Sequence, residues 1–312
     1  MSPRKAGRSS NASGDPAPAA ESSTSRAHRS TLRITDVHIH IQPWRMVKPA
    51  VLETMRKNLA DMWDMFVALM DDPALLLRIM DAEGIARVGL VNYVSPNIMG
   101  FTTDTNDFAL RYAAADPARL IPYGGVDPLT STDAEGDVRR LAELGTRLLK
   151  VHPPHMGFAA NAYTDGLTAL ADVYRVCEDR GLPVMIHTGT SIFPGARSKY
   201  GNPMEIDDVA IDFPDLQIVM AHGGRPLYMA EAFFVLRRHP NVWLDVSGIP
   251  PRSLPEYFPR LAEIQHKVLW GTDWPSPGVR SMRANVEQFL GLPFPDTLKR
   301  AALEENPLRL LP

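Results

Sequence analysis

Four histidines and one aspartate stand where apolar runs of this chain end. Asp36-Val37-His38-Ile39-His40 closes the first strand-like run, and His187, His222 and Asp273 each end or follow a later one. Side chains two apart on a strand share a face, so His38 and His40 can present two imidazoles to one point. That is half of a metal site, and the other half must come from distant sequence. A lone histidine at a strand end is commonly a hydrogen-bonded structural residue, and an aspartate after a strand commonly caps a helix. The joint pattern argues against core packing, because all five groups fall at carboxyl ends of expected strands and none at amino ends.

The elements that must position them alternate from Leu32 onward. Strands are expected over 32–40, 85–92, 120–127, 147–152, 183–188, 217–222, 242–247 and 268–272, with helical periodicity between them, as in 105–115, 133–144, 167–180 and 229–238. Eight parallel strands with covering helices most economically close into an α/β (β/α)8 TIM barrel, whose carboxyl-end face gathers the five groups. An open doubly wound sheet is the runner-up, but the first βα turn lacks the Gly-x-Gly-x-x-Gly fingerprint. The stretch 43–83 exceeds an ordinary βα connection; its Met62-Trp63-Asp64-Met65-Phe66 run fits either an inserted helical element over the barrel mouth or one long helix.

The 312 residues suffice for one such barrel, and the net charge of −3 with a pI near 6.3 gives no electrostatic reason to expect nucleic acid or a membrane surface. Cys177, the single cysteine, lies in a helical-looking run and reads as packing, so an oxidising compartment is not implied. Residues 1–31, rich in Ser, Ala, Pro and Arg, are expected to be a disordered tail; Arg4, Lys5 and Arg8 read as solvated rather than as a nucleic-acid arm, and no apolar segment there suits a signal peptide. The expectation is a cytoplasmic single-domain protein over 32–312 with a small-molecule substrate, a homodimer being an open arrangement.

The motifs Asp36-Val37-His38-Ile39-His40, Met185-Ile186-His187-Thr188-Gly189, Ala221-His222-Gly223-Gly224 and Gly271-Thr272-Asp273-Trp274-Pro275 resemble signatures of the amidohydrolase superfamily. The branch resembled is the amidohydrolase-related one that includes aminocarboxymuconate-semialdehyde decarboxylase. The likeness runs from Leu32 to Pro312, including the ending Asn306-Pro307-Leu308-Arg309-Leu310-Leu311. It implies that His38, His40, His187 and Asp273 hold one divalent metal, with His222 and Asp273 acting catalytically. Three imidazoles and a carboxylate suit zinc, with manganese or iron as alternatives, and such an ion lowers the pKa of its water toward ~7. His222 would polarise a carbonyl or move a proton.

Lys150, at the end of the fourth strand, stands where binuclear members of the superfamily carry a carboxylated lysine; an unmodified amine that binds a substrate anion is the simpler use. Further substrate-binding candidates are Arg197, Arg225 and Trp274. Arginine suits a carboxylate because its fork donates two parallel bonds, whereas Trp274 could wall the pocket or pack beneath it. Gly223 and Gly224 either admit substrate to the backbone or make a tight turn. His152 and His155 either line the site or lie on the surface of a loop stiffened by Pro153 and Pro154.

Three functions fit: a metal-dependent hydrolase of a small carboxylated amide, ester or lactone; a decarboxylase on the same metal; and a non-catalytic binding barrel, which the filled ligand positions disfavour.

Overall fold

The computed structural model describes residues 32–276 and 278–312, so the tail expected over 1–31 lies outside the described residues. Eight parallel strands pair in chain order: β1 (Thr35–Ile39), β2 (Arg87–Leu90), β3 (Leu120–Gly124), β4 (Leu148–Val151), β5 (Val184–His187), β6 (Ile218–Ala221), β7 (Val242–Asp245) and β8 (Val268–Leu269). The ring closes where Val37 N–H donates to Trp270 O at 2.9 Å and Asp273 N–H to His38 O at 2.8 Å, beside a parallel bridge between Ile39 and Trp274. The chain therefore forms the (β/α)8 barrel that its periodicity predicts.

Strands covered on both faces read as continuous apolar runs, and β5, β6 and β7 are buried at every residue. Each strand is shorter than its sequence run, mostly at the carboxyl end, where the chain leaves the ladder to present polar side chains. The helices begin and end on local signals. Asp72, Asp133 and Ser281 accept from backbone N–H groups of Leu75, Gly136 and Ala284, and Gly84 and Gly181 close their helices in the left-handed region. Cys177 is buried, as packing requires.

The long first connection is an inserted helical element rather than one long helix. A 3-10 turn at Trp44–Met46 is followed by helices Pro49–Asn58, Trp63–Asp71 and Pro73–Glu83. Trp44 stacks on Phe66 with centroids 4.4 Å apart, and both join Met55 and Leu59 in lining the cavity at the carboxyl ends of the strands. Among the described residues, no helix is long and apolar enough to cross a membrane.

Candidate metal centre

Two acidic residues brace the first strand from opposite sides. Asp36 accepts from the backbone N–H of His38 and from both the N–H and hydroxyl of Thr272, tying β1 to the segment that carries Asp273. Burial pushes its carboxyl up to about 7 despite those bonds. Asp245, the last residue of β7, takes His38 Nδ1 at 2.6 Å and the Ser247 hydroxyl at 2.7 Å. With Nδ1 donating to a carboxylate, neutral His38 must carry its lone pair on Nε2. His222 is fixed the same way, since Nδ1 donates to the Ser247 carbonyl at 2.8 Å.

Those nitrogens meet other acceptors. His38 Nε2 lies 3.3 Å from His40 Nε2 and 3.4 Å from Asp273 Oδ1, and His40 Nε2 lies 2.9 Å from the same oxygen. His38, His222 and Asp273 also bring one donor atom each within 4.8 Å of one another. His187 adjoins His222 at 4.7 Å between ring centroids, and its Nε2 is buried with no hydrogen-bond partner. A lone pair facing a carboxylate oxygen is repulsive unless a cation lies between them, so the donor set fits a divalent ion. The structure brings together all five groups, and His222 stands as close to the others as a ligand would.

Electrostatics hold the cluster in a ligating state. Burial, then the charges of Arg225, His38 and Lys150, drive His222 far below the ordinary histidine value, and burial with His222 and Lys150 does the same to His187. His38 is also lowered, chiefly by burial. Burial raises the Asp273 carboxyl, but the His40 hydrogen bond and the charges of His40, His38 and Arg225 outweigh it and keep the group well below the usual carboxylate range. Burial thus favours the neutral form of His38, His187 and His222, and the Asp273 carboxylate is ionised, the forms that bind metal.

His222 and Asp273 have backbone φ of 67° and 65°, the only positive values at non-glycine residues among the described ones. Side chains avoid this left-handed region, and such strain gathers at functional sites. Their neighbours Gly223 and Gly224 make the tight turn: both have positive φ, and a Cβ on Gly223 would strike the Phe258 ring rather than face the cavity.

The cavity above the cluster has a volume of about 570 Å³. Lys150 and Arg225 line it; Lys150 Nζ and Arg225 Nε are buried without partners, and Arg225 lies 3.7 Å from Asp273 Oδ2. Burial lowers the Lys150 amine to about 8. Two expected substrate contacts are corrected. Arg197 is exposed and does not line the cavity, to which its loop contributes only residues 190–193, and Trp274 is buried at the β1 bridge and is not among the lining residues. His152 and His155 are not surface residues: Pro153 starts a one-turn helix that turns both inward to the cavity. Asp245 was the residue sequence reasoning missed, although Val242-Trp243-Leu244-Asp245 carries the same signal as Asp273, an acid ending an apolar run.

The amidohydrolase family profile matches residues 35–312, and the chain belongs to that family of metal-dependent TIM-barrel enzymes. Among solved structures, an uncharacterised TIM-barrel protein from Bordetella bronchiseptica is 23% identical, with a TM-score of 0.71 over 89% of this chain and 98% of that one. A probable 2-pyrone-4,6-dicarboxylic acid hydrolase from Acinetobacter baumannii, with citric acid bound, is 16% identical, with a TM-score of 0.62 over 90% and 99%. A 5-carboxyvanillate decarboxylase from Novosphingobium aromaticivorans, complexed with manganese and a nitrobenzoic acid, is 15% identical, with a TM-score of 0.62 over 90% and 96%. At these identities the likeness is one of fold. No curated protein matches.

Proposed function

We propose that this protein is a metal-dependent hydrolase of a small carboxylated amide, ester or lactone, with His38, His40, His187 and Asp273 as the residues that hold the ion. Zinc suits three imidazoles and a carboxylate, and manganese or iron fits the same donors. The observation that carries the reading is Asp273, a carboxylate kept ionised at the cluster on a left-handed backbone, facing the cavity.

An ionised Asp273 facing the cavity can accept the proton of an attacking water. A divalent ion at the cluster would act as Lewis acid, acidifying water toward a pKa of ~7 and polarising a carbonyl. His222 can take a proton only on Nε2, because Nδ1–H is committed to the Ser247 carbonyl. It therefore serves as proton acceptor rather than as donor to the carbonyl oxygen. Arg225 and Lys150 offer unpartnered N–H groups to a substrate carboxylate, and Met55, Leu59, Phe66 and Met99 give an apolar body a wall to pack against.

A carboxy-lyase is the second reading, favoured by Lys150, whose buried, unpartnered ammonium at the cavity can act as a proton source for carbon. Turnover of carboxylated lactones, esters and benzoates in heavy-oxygen and deuterated water separates the two. Solvent oxygen in the organic product is expected. Carbon dioxide release with deuterium on carbon and no solvent oxygen would overturn hydrolysis in favour of the lyase.

A further inference from the structure

The turn after β7 supplies no proposed ligand, yet it touches the cluster at two histidines. Asp245 and the Ser247 hydroxyl meet His38 Nδ1 at 2.6 and 3.0 Å, and the Ser247 carbonyl takes His222 Nδ1–H at 2.8 Å. The next residue, Gly248, lines the cavity and lies against the guanidinium of Arg225. A Cβ on Gly248 would stand 2.8 Å from Arg225 Nε and 3.0 Å from Cζ, and closer still to Nη2. Non-bonded carbon contacts settle at about 3.5–4.0 Å, so no side chain fits at 248 while the arginine stays where it is. Gly248 also has φ of 66°, a second reason for glycine at this position.

Other arginines of this chain are fixed by carboxylates, Arg238 by Asp207 and Arg260 by Glu263, each at 2.7 Å. Such a partner consumes donors. At Arg225 the Asp273 Oδ2 oxygen is 3.7 Å away, too far for a hydrogen bond, and Nε is buried without a partner. The Arg225 backbone is pinned, its N–H donating to His222 O and its carbonyl accepting from Thr190 N–H, both at 3.1 Å. A flexible stem separates that backbone from the fork, and a loose fork has rotamer entropy to lose on binding. Packing on the bare Gly248 backbone restrains the fork without using any of its N–H groups.

We infer that Gly248 is a positioning residue that seats the Arg225 fork by shape and leaves its donors free for a substrate carboxylate. Because the same turn holds His38 and His222, it also fixes how far that anchor stands from the reacting end. This rests on the reading above of Arg225 as a carboxylate contact.

The test is calorimetric titration of the metal-loaded full chain with benzoate, with metal content measured alongside. Arg225→Ala should weaken binding about tenfold, the loss of a hydrogen bond to a charged group. The group that a methyl at 248 meets is the tip of a flexible side chain, so Gly248→Ala should fold, keep its metal and weaken benzoate about fivefold. Added to Arg225→Ala, it should cost less than a further twofold, because a seat with nothing to hold has no effect. Gly181→Ala controls for the backbone: its φ is 61° and an added Cβ meets no distant part of the chain within 4 Å, so it should bind benzoate within about twofold of wild type. Losses that simply add in the double variant overturn the seat, as does a Gly248→Ala protein that binds like wild type. An equal loss in Gly181→Ala would make backbone strain the cause and overturns it too. Should Gly248→Ala fail to fold, adding Arg225→Ala must restore folding, and a double variant that stays unfolded overturns the seat. Undiminished binding by Arg225→Ala, or none by wild type, sinks the reading of Arg225 and the seat with it.

Discussion

Lys150 and Lys267 are both almost fully buried, at 1% and 3% exposure, and burial lowers both amines to about 8. They differ in their partners. Lys267 Nζ donates to the carbonyls of Leu236 and His239, closing the end of the helix Met229–Arg238. Lys150 Nζ has no partner and faces the cavity. The same contrast separates the histidines: His239 is paired with Asp207 at 2.7 Å, while His187 Nε2 is buried alone. Burial is thus common to framework and site, and between the two lysines so is a lowered pKa. A missing partner is what marks the site, because a buried polar group left unpaired in the folded chain is costly unless a ligand completes it.

The largest break in that comparison comes from the histidines. His187→Ala should strip the metal and with it all measurable turnover while the fold survives; His239→Ala should lower the unfolding free energy and leave metal content intact. Full stoichiometric metal in purified His187→Ala would sink the ligand assignment. Next in size, His222→Ala should lower turnover by ~10²-fold with metal retained, the scale of lost acid–base assistance. Loss of metal in step with activity would make His222 a ligand, and metal analysis alongside kinetics reads the difference. Asp245→Asn weakens the hold on the His38 proton and should cost ~10–100-fold in metal affinity, measurable by chelator competition.

The smallest effects sharpen the lysine pair. Lys267→Met leaves two carbonyls unpaired and should destabilise by ~1–3 kcal/mol. Lys150→Met removes a buried charge that nothing pairs, so the midpoint of denaturation should rise, while KM for carboxylated substrates rises about tenfold. A folded pKa near 8 against 10.5 unfolded means the unfolded chain binds the extra proton between those limits, so wild-type stability climbs as pH rises from about 8 to 10.5. Lys267, lowered to the same value, contributes an equal climb, so Lys150→Met should reduce that climb by about half in urea titrations at pH 8 and pH 10. An unchanged slope would show that the amine does not titrate there.

What the sequence made legible follows the same physics. Apolar runs of period-free hydrophobicity disclosed all eight strands, and polar residues at their ends disclosed His38, His40, His187, His222 and Asp273. The boundaries were less legible. The run 242–247 ends as a strand at Asp245, because the chain there leaves the ladder to set Asp245 and Ser247 against His38. Loop charge carried no direction, so Arg197, which is exposed, and Arg225, which lines the cavity, looked alike. Proline suggested stiffness after β4 but not which side of it the histidines would take. Pairing between distant elements, as in Tyr93 with His155 and Ser191, has no local signature at all.

The hydrogen bonds from Nδ1 of His38 and His222 have a consequence for how the centre fills. Each ring already keeps its one proton on the nitrogen that points away from the cluster, and Asp273 is already anionic. Metal capture ordinarily competes with acid, since ligands must first give up protons. Of the proposed ligands, His38 and Asp273 have none to surrender, so loading should liberate almost no acid into solution from these two.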